Sequence, residues 1–147
     1  MADVTSRGRA LGVDLGGRRI GLALSDPSRT VASPYDVVLR GRDHAADHFA
    51  IVGAAREAGA TTIVVGLPLS LSGAKGPAAR AALAEVEELR AVAGDDIEVV
   101  LHDERLTTVT AERALDEARM SRTARKQVVD KIAAAVMLQA WLEGCGR

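Results

Sequence analysis

One seven-residue run limits the choice of fold more than any other part of the chain. Thr61-Thr62-Ile63-Val64-Val65-Gly66-Leu67 is a continuous β-branched and apolar stretch with no polar alternation in its second half. Side chains on a strand point to opposite faces in turn, so such a run fits a strand buried on both faces, as in a parallel sheet covered by helices. The segments around it agree. Ala10-Leu11-Gly12-Val13-Asp14-Leu15 reads as a strand, Gly16-Gly17 before Arg18-Arg19 as a tight turn, and Ile20 to Ser25 as a hairpin partner. After a second turn at Asp26-Pro27-Ser28, Val31 to Leu39 offers a third strand interrupted by Ser33-Pro34, which completes an antiparallel meander.

Beyond the meander the pattern alternates. Phe49, Val52 and several alanines recur at helical spacing between Asp43 and Ala58, with Gly59 as the stop. After the 61–67 strand and a loop from Leu69 to Gly76, Pro77 opens a helix to Ala93 that Gly94-Asp95-Asp96 closes. Ile97 to Leu101 is a fifth strand, ending in His102-Asp103-Glu104-Arg105. Thr107 or Thr108 caps a helix to about Arg119, and Ser121 or Thr123 caps a last one to Leu142. The order βββαβαβαα predicts an α/β fold with a mixed five-stranded sheet flanked by helices. We expect one domain over residues 1–147, with 1–9 and 143–147 as flexible tails, because 147 residues suit a single core.

Phe, Trp and Tyr occur once each while hydrophobic residues make up 48%, so the core must be aliphatic. No stretch approaches the roughly twenty uncharged apolar residues of a membrane span, and the N-terminus lacks the apolar centre of a signal peptide, so a cytoplasmic protein is expected. The single cysteine, Cys145, excludes an internal disulfide framework, though it could link two copies of the chain in a homodimer. A net charge of −1 gives the whole molecule no basic footprint. Cations concentrate locally, however: Arg119, Arg122, Arg125, Lys126 and Lys131 surround a single acid, Asp130.

Three carboxylate positions invite chemistry. Asp14 stands inside an apolar strand, where a buried charge needs a ligand or a partner; bonding to the N–H groups of the Gly16-Gly17 turn is the structural alternative. Asp103-Glu104 ends the fifth strand, at the carboxyl edge where open α/β sheets place their ligands. Strand alternation lets only one of the two face Asp14, and spacing does not say which. Asp130 shares an i, i+3, i+4, i+7 lane with Ala133, Ala134 and Met137, an inward lane that suits it better than a surface pair with Lys126. Oxygen donors from two strands and a helix suit hard cations such as Mg²⁺ or Mn²⁺. His44, His48, His102 and Cys145 are scattered without zinc spacing, and the i, i+4 pair His44 and His48, lacking a third ligand in the sequence, reads as solvated.

The motifs also resemble a known family. Gly12 to Asp26, Val65-Gly66-Leu67-Pro68-Leu69 with Gly73 and Gly76-Pro77, Asp103 to Thr108 with Ala111, and Asp130 to Ala134 with Leu138-Gln139 are similar, in order, to the motifs of the YqgF (RuvX) nucleases. The resemblance spans residues 10–143 and implies a ribonuclease H-like fold, a catalytic metal site of Asp14, Glu104 and Asp130 with Mg²⁺ or Mn²⁺, and a nuclease acting on pre-rRNA or branched DNA. It thereby selects Glu104 over Asp103. In the central loop, Leu71-Ser72 and Ala74-Lys75 depart from the more polar or acidic residues common in the family. Arg18, Arg19, Lys75, Arg105, Arg122, Arg125, Lys126 and Lys131 are the expected contacts to the nucleic-acid backbone. Processing of the 5′ end of pre-16S rRNA, in ribosomal precursor particles, is the favoured role. Resolution of Holliday junctions by a two-fold dimer is the alternative, and a noncatalytic ribosome-assembly factor a third. Asp14-Leu15-Gly16-Gly17 also resembles the phosphate turn of actin-like ATPases, but those need a second such domain.

Overall fold

The computed structural model describes residues 8–67, 77–103 and 122–144. Its elements are β1 (Arg9–Leu15), β2 (Arg19–Ser25), β3 (Ala32–Leu39), α1 (His44–Ala58), β4 (Ala60–Leu67), α2 (Pro77–Ala93), β5 (Glu98–Asp103) and α3 (Arg122–Gly144). The helix expected to end near Arg119, the 69–76 loop with Lys75, and Glu104, Arg105 and Cys145 lie outside the described residues.

The five strands form one sheet in the order β3-β2-β1-β4-β5. Strands β1, β2 and β3 are the antiparallel meander, and β4 and β5 join β1 in parallel. Ile63, Val64 and Val65 of β4 are all fully buried, as a run without alternation requires. Ile63 and Val65 enter a core with Leu11, Val13, Ile20 and Leu22 of the sheet and Ile51 and Leu89 of α1 and α2. Val64 points the other way, into a core that α3 closes with Ala134, Met137, Leu138, Trp141 and Leu142. Full burial of each such leucine contributes about 1.5–3 kcal/mol. Pro34 is tolerated because β3 is an edge strand, and the pairing shifts by one residue opposite it, between Leu22 and Ala23.

Several boundaries differ from expectation for local reasons. β1 begins at Arg9, inside the presumed tail, since the Arg9 guanidinium donates to Ser25 O at 3.1 Å and its backbone N–H to Gly59 O at 3.2 Å. β5 runs on to Asp103 because His102 and Asp103 pair with Gly66 and Leu67. α3 reaches Gly144, held down by buried Trp141 and Leu142. In α1 the inward lane is His48, Ile51, Val52 and Ala55, and Phe49, which the spacing had assigned to the apolar face, is 67% exposed. Among the described residues no helix is long and apolar enough to cross a membrane.

The seat of α3 decides where the site forms. A Cβ on Gly12 would come within 2.9 Å of Leu138 Cβ, and one on Gly21 would collide with the backbone carbonyl of Asp130. Two glycines on adjacent strands, facing Leu138 and Ala134 at Gly12 and Asp130 at Gly21, thus let the helix lie close on the sheet. Gly21→Ala is expected to push α3 outward and to lower stability by about 1–3 kcal/mol, as overpacking does. Urea unfolding followed by circular dichroism measures this, and an unchanged midpoint would contradict the close seating.

Candidate functional site

Strand register puts Asp14 at the centre of a row. It stands opposite Gly21 on β2 and beside Gly66 on β4, which in turn pairs with His102 on β5. Residues opposed in register share a face, so Gly21, Asp14, Gly66 and His102 line one side of the sheet near the carboxyl ends of the parallel strands. Because Gly21 abuts the backbone of Asp130, this is the face that α3 covers. Its two neighbours in the row are both glycines. Asp14 and Asp130, 116 positions apart in sequence, are thereby brought to the same face. Asp14 is half-buried.

Asp130 is held by Arg19, whose Nε donates to Oδ2 at 2.6 Å. Arg19 in turn closes the tight turn after β1, its carbonyl accepting from the Gly16 N–H at 3.0 Å. That N–H is thus satisfied by backbone. An ionised carboxylate offers about four lone-pair positions, so one bond from Arg19 leaves Asp130 able to accept a cation as well. Of the cations expected around the site, Arg18 is exposed in the turn and Lys131 is half-buried beside Asp130. Arg122, Arg125 and Lys126 lie in the opening turns of α3. Lys75, Glu104 and Arg105 lie outside the described residues.

A second charged group sits on the opposite face, between α1, α2 and the same turn. Arg40 Nε donates to Gly16 O at 2.7 Å, while its two terminal nitrogens grip Glu85 at 2.8 and 3.0 Å. The Nε2 of His48 lies 2.9 Å from Glu85 Oε2, and Asp47 accepts from Arg40 at 3.4 Å and from the Gly41 N–H at 2.8 Å. His48 is 1% exposed, so the expectation of a solvated histidine pair fails for it; only His44 is open to water. Burial alone would raise the Glu85 carboxyl, but the hydrogen bonds from Arg40 and His48 and the Arg40 charge outweigh it and hold the group below its usual range. The bond to Glu85 raises Arg40 against its own burial. Among the described residues no buried side-chain polar atom lacks a partner. Sequence reasoning missed this network, yet the signal was present. Glu85 stands in the apolar lane Ala82, Val86, Leu89 and Ala93 of α2, the same anomaly that singled out Asp130.

The model of the RuvX family, described as Holliday junction resolvase, matches residues 8–144. Proteins named "Putative pre-16S rRNA nuclease" are similar over most of the chain. That of Nocardia farcinica is 43% identical over 142 residues, 93% of this chain and 78% of its own length. That of an Anaeromyxobacter species is 47% identical over 136 residues, 92% of this chain and 97% of its own. Among solved structures, Thermus thermophilus RuvC in complex with a Holliday junction substrate superposes with a TM-score of 0.52 at 16% identity, covering 92% of this chain and 94% of that one. Free T. thermophilus RuvC gives 0.54 at 14% identity, covering 94% and 96%. The likeness establishes the ribonuclease H-like fold.

The Glu85 cluster gives a prediction that is independent of activity. Glu85→Ala leaves the Arg40 charge largely buried with a weaker partner and should cost on the order of 3 kcal/mol at pH 7. Because the folded carboxyl is held below its unfolded value of about 4.3, the stability it supplies is fully present above that pH and is lost as pH falls through the lower folded value. Denaturant unfolding of both proteins between pH 7 and pH 3 should show the difference shrinking toward acid. A gap that stays constant would sink the assignment.

Proposed function

The chain belongs to the RuvX family, and on that premise we propose that it is a divalent-metal-dependent nuclease whose metal-ligating carboxylates are Asp14, Glu104 and Asp130. It hydrolyses phosphodiester bonds. The observation that best supports the assignment of residues is the meeting of Asp14 and Asp130 on one face, made possible by Gly21 opposite the first and against the second. Glu104 enters on its motif alone.

The donor chemistry fits a hard ion. Asp14 and Asp130 offer only oxygen, which suits Mg²⁺ or Mn²⁺, ions that keep waters and take substrate phosphate oxygens as further ligands. When bound, such an ion supplies an activated water and stabilises the leaving oxygen. Asp14 is fixed on a central strand, so its position is rigid. Asp130 is oriented by Arg19, which holds one of its oxygens. Arg18, Arg19, Lys75, Arg105, Arg122, Arg125, Lys126 and Lys131 would contact phosphates and offset their charge. With one residue each of Phe, Trp and Tyr in the chain, stacking on bases can contribute little, and recognition rests on backbone and shape.

The relatives' name favours pre-16S rRNA as substrate, with cleavage at its 5′ end within ribosomal precursor particles in the cytoplasm. The description of the family model favours a second reading, Holliday junction resolution. Two symmetric cuts would then demand a two-fold dimer, for which a disulfide between Cys145 residues is one route.

Cleavage of a pre-16S rRNA fragment and of a synthetic four-way DNA junction, with Mg²⁺, Mn²⁺ or EDTA, tests the proposal. Asp14→Asn and Asp130→Asn should each lower the metal-dependent rate by more than the ~10–100-fold that loss of an outer-shell partner costs. Cutting of RNA alone supports processing and cutting of the junction alone supports resolution. Absence of cutting with both substrates leaves a noncatalytic assembly factor.

A further inference from the structure

A second cation site stands apart from the nuclease carboxylates, on the α1–α2 face. His44 and His48 are one turn apart on α1, and the structure supplies from α2 the third side chain that the sequence did not reveal. One ligand atom each from His44, His48 and Glu85 lie within 4.8 Å of one another. The rings of the two histidines are 5.6 Å apart, and Glu88, one position short of a full turn after Glu85, reaches His44 Nδ1 at 3.1 Å. We propose that His44, His48 and Glu85, with Glu88 as the fourth ligand, form a site for a borderline transition-metal ion such as Zn²⁺.

Donor type, spacing, charge and access each support it. Two imidazoles and carboxylates are a donor set that zinc takes and that Mg²⁺ does not favour. Ligands about 2.0–2.2 Å from a tetrahedral ion sit about 3.3 Å from one another. The pair His48 and Glu85, at 2.9 Å, is already near that spacing and is buried, hence fixed. Only the half-exposed side chains of His44 and Glu88 must close in, and both are free to turn.

The charge is complementary to a divalent cation. Glu85, Asp47 and Glu88 contribute three negative charges to the connected group and Arg40 one positive, leaving two to be neutralised. Arg40 binds Glu85 through its two terminal nitrogens, one on each carboxylate oxygen, and Oε2 also faces His48 Nε2 at 2.9 Å, the side on which an ion would enter. An ion at His48 Nε2 replaces the hydrogen bond to Glu85, and the neutral imidazole then carries its one proton on Nδ1. A cavity of about 380 Å³ lined by Leu15, Gly17, Arg40, His44, Ala81 and Glu85 opens the cluster to solvent.

The site does not depend on the nuclease reading, and its test is made without reference to cleavage. The full chain, stripped with chelator, is titrated calorimetrically with Zn²⁺ alone, and the histidine ring nitrogens are followed by NMR. We expect one equivalent that persists in Asp14→Asn, is at least ten-fold weaker in His44→Ala, and shifts the ring signals of His44 and His48 but not of His102. His44 is exposed, so His44→Ala keeps the fold, which circular dichroism checks. Zn²⁺ that binds His44→Ala as well as wild type, that is lost in Asp14→Asn, or that fails to saturate wild type overturns the proposal.

Discussion

Helix α3 rests on the sheet at two glycines: the backbone of Asp130 lies directly against Gly21 on β2, and Leu138 Cβ and the Ala134 carbonyl lie against Gly12 on β1. Everything at the candidate site follows from that approach. A helix separated from a sheet by ordinary side chains would hold Asp130 well away from the strand that carries Asp14. Here the glycine opposite Asp14 is the very residue that receives Asp130, so the contact that seats the helix also brings the two residues to one face. The site is therefore built from packing first and charge second. Arg19 orients Asp130 but does not bring it there.

The placement of Asp14 has a comparable origin. β1 is flanked on both sides, antiparallel to β2 and parallel to β4, which leaves its backbone no freedom to shift. A carboxylate on such a strand is rigid in a way one on a loop is not, and ligand geometry that must hold to a fraction of an ångström benefits from it. Of the glycines at either side in the row, Gly21 takes the backbone of Asp130 directly against the sheet, which a larger residue would prevent.

How much of this could be read from the sequence depends on the kind of information each feature needs. The 61–67 strand, the meander and α2 were legible because periodicity and turn residues are local, and α2 in particular spans Pro77–Ala93 as expected. Phe49 was misread because α1 is rich in alanine, so its apolar lane is poorly marked and one large residue dominated the pattern. Asp14 and Asp130 were flagged by being acids in apolar surroundings, and the same test would have flagged Glu85. The partner of each was not legible: Arg19 meets Asp130 from 111 positions away and Glu85 meets His48 from 37, and such pairings exist only once the elements pack. His102 reads as a polar strand end until the register with Gly66 puts it in the row of Asp14.

The turn between β1 and β2 connects the two charged groups. Its Gly16 N–H is closed by the carbonyl of Arg19, whose side chain reaches Asp130 on the α3 face. Its Gly16 carbonyl is held by Arg40, which is fixed by Glu85 and Asp47 on the α1–α2 face. The Arg40 backbone N–H adds a bond to Arg18 O at 3.0 Å. The turn that follows Asp14 is thus bonded from both sides of the sheet, and its conformation is over-determined. A short glycine turn carries a high cost in conformational entropy when it is ordered. Arg40, a largely buried guanidinium with an acceptor in every direction, offsets that cost, and it does so only while Glu85 and Asp47 balance its charge. The α1–α2 cluster is therefore no separate ornament of the far face: through Gly16 it stiffens the strand end on which Asp14 stands.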